Sequence, residues 1–348
     1  MSTETLPVID VGDLRRAATQ RAIDVACRDW GFFQIVGHGI AERTLDALRR
    51  QMRAFFALPL SAKHALMRTA ENPWGFYDRE LTKHTRDWKQ VYDYGPADGG
   101  AIVPQLPREL PRFASAIARF YAECDALAFE LVEVIAGNLG TPPGALDSCF
   151  RPDHTSFLRL NYYPPCPMPA RPADVSTAGG REVLSATAPC VALPRASLPA
   201  PAFAALPPSM AGAGHLGVNP HTDAGALTLL LQDDEPGLEV FHDGAWRLVE
   251  PRRDALVVNI GDIVQVWSND RYTAALHRAL VSSNAERFSA PFFFNPAYRT
   301  WYAPLVSTLD AEHPPRYRPI HWGEFRARRA AGDYADHGEY HSIHHYSR

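Results

Sequence analysis

Seven short apolar segments follow one another between Phe157 and Asn295, and each has the length of a β-strand. They read FLRLNYY, ALTLLLQ, LEVFH, WRLV, ALVVNI, IVQVWS and SAPFFFN. Turn sequences such as HDGA and NIGD separate them, and Asp-Gly is a strong signal for a tight hairpin. Several short strands at this spacing predict a β-barrel or a β-sandwich.

The chain before this region has a different periodicity and predicts mainly helices. In LRRAATQRAIDVACRDWGFF an apolar residue recurs every four positions from Leu14 to Trp30, as an amphipathic helix requires. Further helices are expected at about 41–57, from Ser61, and at about 111–139, and short strands at Val8–Val11 and in GFFQIV. We therefore expect a mainly helical region at 1–150 that packs on a barrel at 151–300, followed by a C-terminal helical tail at 301–348.

Residues 168–214 fit neither pattern. This stretch is rich in Pro, Ala, Ser and Gly, and it separates two of the strand candidates. A loop of this length without secondary structure is uncommon inside a domain, so it is either a lid or a disordered insertion, and the composition favours the insertion.

The overall composition is that of an ordinary globular protein, with 46% hydrophobic and 21% charged residues. A formal net charge of −4 gives no electrostatic reason to expect nucleic acid or an anionic membrane as a partner. The five cysteines include no Cys-x-x-Cys pair, which indicates reduced thiols. With no apparent signal peptide and no long apolar run, we expect a soluble, cytoplasmic protein.

One strand candidate begins with two polar residues that could bind a common ligand. In NPHTDAGALTLLLQDD, His221 and Asp223 are two positions apart and would share a face of an extended chain. A polar strand entry with Asp223 in a turn is the simpler interpretation of this pair alone. A third candidate ligand, His277, follows 54 positions after Asp223. Two His and one carboxylate form the facial triad of non-haem iron(II) oxygenases, although a zinc hydrolase could use the same set.

A second pair with the same spacing lies ten residues further along the chain. Arg287 and Ser289, in ERFSAPFFFN, would also share one strand face. A guanidinium beside a hydroxyl suits a carboxylate ligand. An exposed Arg and a capping Ser would explain the pair equally well, but Arg287 begins a strongly apolar strand, and a buried Arg needs an anion.

Taken together, these motifs resemble the iron(II)/2-oxoglutarate-dependent oxygenase superfamily. Its isopenicillin N synthase-like branch, with the plant flavonoid and gibberellin oxygenases, is the most similar. The resemblance covers nearly the whole chain, including LPVIDVGDL, WGFFQIVGHGI, LRLNYYPPCP and NIGDIVQVWSNDRYTAALHR. It implies an α+β fold dominated by β-structure, in which a double-stranded β-helix (jelly-roll) barrel is flanked by N-terminal helices.

The resemblance also implies roles for individual residues. The iron ligands would be His221, Asp223 and His277. Residues expected to bind 2-oxoglutarate are Arg287, Ser289, Tyr163 and Asn161. Residues expected to line the substrate pocket are Arg159, Phe292 and Phe294.

The implied function is a dioxygenase that uses Fe(II), O2 and 2-oxoglutarate to oxidise a small organic or natural-product substrate, as in secondary metabolism, with release of succinate and CO2. Hydroxylation, desaturation or cyclisation would be possible outcomes, and ascorbate could act as reductant. We expect a monomer. Two alternatives stay open: an isopenicillin N synthase-like or aminocyclopropane carboxylate oxidase-like enzyme that takes no 2-oxoglutarate, and a ligand-binding protein on an inactive barrel. The substrate is not evident from the sequence, because pocket loops vary and the 168–214 segment departs from the short link usual in the family.

Overall fold

The computed structural model describes residues 5–82, 85–97, 102–170, 214–333 and 341–348. Nearly all of the Pro/Ala-rich segment predicted as an insertion therefore lies outside the described residues. The α-helices of the described part are α1 (Ala17–Asp29), α2 (Glu42–Phe56), α3 (Leu60–His64), α4 (Phe113–Asn138), α5 (Asp147–Phe150), α6 (Asp262–Trp267) and α7 (Trp322–Asp333). The β-strands are β1 (Val8–Asp10), β2 (Phe32–Val36), β3 (Gly75–Tyr77), β4 (Leu81–Thr82), β5 (Thr85–Arg86), β6 (Gln90–Tyr94), β7 (Phe157–Tyr163), β8 (Val218–His221), β9 (Leu227–Gln232), β10 (Leu238–His242), β11 (Ala245–Leu248), β12 (Leu256–Ile260), β13 (His277–Ala279), β14 (Arg287–Phe294), β15 (Trp301–Tyr302) and β16 (Ile320–His321).

Two sheets form the barrel. The major sheet has eight strands in the order β1-β2-β12-β9-β14-β7-β6-β3, and the minor sheet has four in the order β11-β10-β13-β8. Apolar side chains from both sheets, among them Leu230 and Val257 of the major sheet and Leu238 and Val240 of the minor sheet, pack together between them. The jelly-roll fold with flanking helices is confirmed.

The long helix α4 covers the outer face of the major sheet. Its apolar stripe, which includes Phe120, Leu127, Leu131 and Ile135, is buried in the same core cluster as residues of β9 and β14. The opposite face of the major sheet lines the cavity between the two sheets. None of the described helices is both long enough and apolar enough to span a bilayer.

The prediction of a strand at IVQVWS is wrong, because these residues lie mainly in α6. Five of the six residues of this short helix are buried, and only Gln265 is partly exposed. A helix buried almost throughout shows no continuous polar face, so its apolar run cannot be distinguished from a buried strand by periodicity. Gly261, the residue before α6, has no room for a side chain. A Cβ there would lie 2.2 Å from the carbonyl oxygen of Gly225 and 2.8 Å from that of Asp223.

Candidate metal centre and co-substrate pocket

The structure brings the three predicted metal ligands together. His221 of β8 and His277 of β13 lie opposite each other across an antiparallel strand pair, and Asp223 follows β8 by two residues. Asp223 Oδ1 lies 3.7 Å from Nε2 of each histidine. One ligand atom from each residue lies within 4.8 Å of the others, and no other such group of His, Cys, Asp or Glu occurs in the described part of the chain. Since metal–ligand bonds measure about 2.0–2.2 Å, these separations are close to those a shared ion requires.

Hydrogen bonds orient both imidazoles for metal binding. His221 Nδ1 lies 2.8 Å from the carbonyl oxygen of Asn219, and His277 Nδ1 lies 3.1 Å from that of Ala275. Because a carbonyl oxygen only accepts, each Nδ1 carries a proton, and each Nε2 is the ring nitrogen left for the metal site. Burial, followed by the neighbouring His277, lowers the pKa of His221 to about 3, so its ring is neutral at neutral pH.

The carboxylate of Asp223 is held in the same way. Its Oδ2 accepts hydrogen bonds from the Thr228 hydroxyl at 2.5 Å and from Asn259 Nδ2 at 2.8 Å. Burial raises the pKa of Asp223, whereas the two imidazoles and these two hydrogen bonds lower it by a larger amount. The pKa of Asp223 is therefore below its ordinary value. Oδ1 is thus left to face the histidines as an anion, so the donor set of two imidazoles and one carboxylate fits a divalent metal ion.

Arg287 is a buried cation on the major sheet. It is only 2% exposed, and its Nε has no hydrogen-bond partner. Its Nη2 donates to Gln232 Oε1 at 3.2 Å, and no carboxylate oxygen of the described residues lies within ion-pair distance of it. Gly237 leaves room for this side chain, since a Cβ there would lie 2.9 Å from Arg287 Cδ. A buried guanidinium with no carboxylate of the described residues in direct contact favours an anionic ligand.

Three polar side chains stand beside Arg287 in the cavity wall. Asn161 Nδ2 donates to Ser289 Oγ at 3.2 Å, and the Tyr163 hydroxyl lies 3.5 Å from the same oxygen. The register of β7 and β14 explains this proximity, because Tyr163 pairs with Arg287 and Asn161 pairs with Ser289. Asn161 Oδ1 is buried without a partner. This group of polar atoms suits the distal carboxylate of a bound 2-oxoglutarate.

Arg159 lies in the cavity wall, but it belongs to a buried ion-pair cluster that the sequence did not predict. Its Nε and Nη2 donate to the two oxygens of Asp93 at 2.6 and 2.8 Å, and its Nη1 donates to Glu80 Oε2 at 2.8 Å. Lys89 Nζ lies 2.8 Å from the same Glu80 oxygen and 3.1 Å from Asp87 Oδ2. Burial lowers the pKa of Lys89 and these two carboxylates raise it, with a net upward shift. The cluster fixes one wall of the cavity by charge pairing.

The prediction that Phe292 and Phe294 line the pocket is wrong. Both are fully buried in the core outside the barrel, where Phe292 contacts Tyr121 and Phe294 stacks on Phe150. Alternate residues of a strand point to opposite faces, so the face that carries Arg287 and Ser289 continues with Pro291 and Phe293. Those two residues do line the cavity. The spacing rule that paired Arg287 with Ser289 contained the signal for this assignment.

The C-terminal helix also contributes to the cavity, and no pattern in the sequence indicated this role. Arg326 and Arg329 of α7 lie in the cavity lining.

Two family models match the chain. The model for the 2OG-Fe(II) oxygenase superfamily matches residues 154–296, and the model for the N-terminal region of non-haem dioxygenases in morphine synthesis matches residues 6–109. The first range contains all the candidate metal ligands together with Arg287 and Ser289.

Curated relatives match over nearly the whole of this chain and most of their own length. Gibberellin 20 oxidase 1-B of Triticum aestivum is 31% identical over 91% of this chain and 79% of its own length. Flavanone 3-dioxygenase 2 of Oryza sativa subsp. japonica is 31% identical over 93% of this chain and 83% of its own length. Among solved structures, JOX2 in complex with 2OG, Fe and JA is 29% identical with a TM-score of 0.73, covering 93% of this chain and 84% of that one.

Proposed function

Because this chain belongs to the 2OG-Fe(II) oxygenase superfamily, we propose that His221, Asp223 and His277 bind its iron and that Arg287 binds its 2-oxoglutarate. The protein is a dioxygenase that depends on Fe(II) and 2-oxoglutarate and oxidises a small organic substrate. The single observation that carries the residue assignment is the shared geometry of the ligand triad, with both Nε2 atoms 3.7 Å from Asp223 Oδ1.

The side chains prepare the site for this chemistry before any ligand arrives. When bound, iron and 2-oxoglutarate supply the activation of O2, with oxidation of 2-oxoglutarate to succinate and CO2. Asn219 and Ala275 hold the two imidazoles by their Nδ1 protons, while Thr228 and Asn259 hold the carboxylate. Three protein ligands would leave other coordination positions of a bound iron ion free for co-substrate and O2.

Arg287 orients the co-substrate through its far carboxylate. The guanidinium is buried, so a carboxylate bound to it forms charge-assisted hydrogen bonds in a site that excludes water. Ser289 and Tyr163 are placed to add hydroxyl donors, and Asn161 adds its amide. These contacts fix the direction from which 2-oxoglutarate reaches the metal.

We also propose that the enzyme works as a cytoplasmic monomer without nucleic acid or membrane partners. The net charge of −4 supports the absence of a polyanionic partner. The described cysteines are free, and most are buried, which supports a reducing compartment. Gel filtration with light scattering measures the oligomeric state directly.

The test of the co-substrate assignment compares wild type with Arg287→Gln. Under anaerobic conditions we expect a visible charge-transfer band when 2-oxoglutarate is added to the Fe(II)-loaded wild type, followed by succinate release in air. Breaking a buried charge pair typically costs about 2–5 kcal/mol, so the variant should bind 2-oxoglutarate roughly 30-fold or more weakly. Iron affinity should hardly change, because Arg287 is not a ligand.

Arg50→Gln, an exposed arginine on α2, is the matched control and should behave as wild type. Single Ala replacements of His221, Asp223 and His277 should each abolish turnover in a folded protein. Full activity of His277→Ala would contradict the triad. Absence of both the band and succinate from folded, iron-loaded wild type would favour an oxidase that uses no 2-oxoglutarate.

A further inference from the structure

Six cationic side chains line the cavity between the two sheets, and most of them are neutralised by the protein itself. The six are Lys89, Arg159, Arg278, Arg287, Arg326 and Arg329. Four have carboxylate partners, in the pairs Lys89–Glu80 at 2.8 Å, Arg159–Asp93 at 2.6 Å, Arg278–Glu239 at 2.7 Å and Arg329–Asp262 at 3.0 Å. Arg287 and Arg326 remain.

Neither Arg287 nor Arg326 has a carboxylate within ion-pair distance among the described residues. In the proposed function, Arg287 binds the far carboxylate of 2-oxoglutarate. Fe(II), Asp223 and the metal-binding end of 2-oxoglutarate sum to zero formal charge. Arg326 is then the one lining cation of the described residues that lacks a counter-charge in the loaded enzyme.

The surroundings of Arg326 are aromatic. Its guanidinium carbon lies 5.2 Å from the ring centroid of Phe157 and 5.7 Å from that of Trp322, and the side chain is half-buried. Phe157 stacks on Phe293 with ring centroids 4.7 Å apart, and both rings line the cavity. A cation next to an aromatic wall suits a ligand with an anionic end and an apolar body.

The aromatic wall of Phe157 and Phe293 lies near the candidate metal site. Phe293 of β14 pairs with Thr228 of β9, and the Thr228 hydroxyl donates to the Asp223 carboxylate. Arg287 lies six residues earlier on β14, which corresponds to roughly 20 Å of extended strand. Arg326, which has no carboxylate partner among the described residues, therefore lies at one end of the cavity, beside Phe157 and Phe293. Arg287, the proposed co-substrate residue, lies at the other end. The metal ligands are closer to the aromatic end.

We propose that the substrate is a small carboxylic acid, whose carboxylate binds Arg326 and whose apolar body lies against Phe157 and Phe293. This inference rests on the proposed function, since 2-oxoglutarate has to occupy Arg287. A carboxylate matches the planar guanidinium in a two-point contact and brings one negative charge to one unpaired cation. A phosphate monoester would bring about −1.5 to −2 and leave charge uncompensated.

The test uses matched pairs of acid and amide as probes. Phenylacetate, 3-phenylpropanoate and 4-phenylbutanoate are each compared with the corresponding neutral amide by calorimetry, on anaerobic enzyme loaded with Fe(II) and saturating 2-oxoglutarate. We expect the acid of at least one pair to bind about tenfold or more tightly than its amide. Arg326→Gln should remove this preference, and Arg326→Lys should keep part of it because the charge remains.

The matched control is Arg328→Gln, an exposed arginine on the same helix, which should keep the wild-type preference. Equal binding of acids and amides, no binding of any acid up to about 10 mM, or a preference that persists in Arg326→Gln would each overturn the proposal. The charge-transfer band separates this outcome from failure of the proposed function. In Arg326→Gln the band and the 2-oxoglutarate affinity should equal those of wild type, whereas a wild type without the band refutes the co-substrate assignment.

Discussion

Arg329 of α7 donates from Nη2 to the main-chain carbonyl oxygen of Thr222 at 2.6 Å, and Thr222 is the residue between His221 and Asp223. The same guanidinium donates from Nη1 to Asp262 Oδ2 at 3.0 Å. The backbone N–H of Asp262 in turn donates to the carbonyl oxygen of Asp223 at 2.8 Å. Through Arg329, the C-terminal helix thus fixes the backbone that carries His221 and Asp223.

Arg329→Lys should weaken metal binding without unfolding the protein. A lysine can keep an ion pair with Asp262, but its single ammonium cannot also reach the Thr222 carbonyl in the forked geometry of arginine. Outer contacts of this kind typically contribute about 10- to 100-fold to metal affinity, and we expect the lower end of that range. Titration with Co(II), followed by its visible spectrum, measures the change. Arg328→Lys on the same helix should have no effect, and unchanged Co(II) affinity in folded Arg329→Lys would contradict the positioning role.

Thr228→Val should also weaken metal binding, through the carboxylate ligand. The substitution preserves shape but removes the hydroxyl that donates to Asp223 Oδ2, so the carboxylate can rotate away from the histidines. We expect a loss of about 10- to 100-fold in Co(II) affinity. Thr308→Val is the matched control, because Thr308 is a buried threonine that bonds only backbone carbonyls of Trp267 and Leu305. Equal losses in both variants would indicate a general effect of threonine removal.

Replacing about residues 172–210 with a short Gly/Ser link should leave thermal stability and iron binding nearly unchanged. The two flanks of this segment meet, since Ala170 N–H donates to the His215 carbonyl at 2.9 Å and His215 N–H donates to the Met168 carbonyl at 2.8 Å. A short link therefore closes the gap without moving β7 or β8. Differential scanning calorimetry and Co(II) titration are the measurements. A fall in substrate affinity alone would favour a lid, and a large loss of thermal stability would contradict both interpretations.

The contribution of Lys63 to the free energy of unfolding should increase as the pH rises above neutral. It is 5% exposed, and its Nζ donates to the Phe56 carbonyl at 2.8 Å and to Gln90 Oε1 at 2.9 Å. Burial lowers the pKa of Lys63 from 10.5 to about 8. Between these two values the unfolded chain binds more protons than the native state, so the free energy of unfolding rises with pH.

The measurement compares wild type with Lys63→Met by urea denaturation at several pH values. The difference in unfolding free energy, wild type minus variant, should increase by about 2 kcal/mol between about pH 7 and pH 9.5. The comparison removes contributions from other titrating groups, which both proteins share. A difference that stays flat or falls over this interval would show that the ammonium is not destabilised by burial.

The sequence predicted the strands of the barrel well where side chains alternate or where turn residues bound a short run. β7 and β10 have the bounds that the apolar segments FLRLNYY and LEVFH suggested. The segment at α6 was assigned wrongly because a helix that is buried almost throughout has no continuous polar face to reveal its period. Phe292 and Phe294 were misplaced for a different reason, since the period-two rule already assigned them to the face opposite Arg287.

What the sequence by itself determined is the pairs of functional side chains that lie two positions apart. Arg287 and Ser289 both belong to β14, so their shared direction follows from strand geometry. For His221 and Asp223 the sequence gives only the spacing, because β8 ends at His221 and the backbone beyond the strand places Asp223 beside it. The tertiary structure decided the partners that come from distant parts of the chain. Arg159 meets Asp93 and Glu80 across β6 and β7, and Arg329 reaches Thr222 from α7, more than one hundred residues away. Such contacts depend on how sheets and helices pack around a common cavity, and no local periodicity encodes that packing.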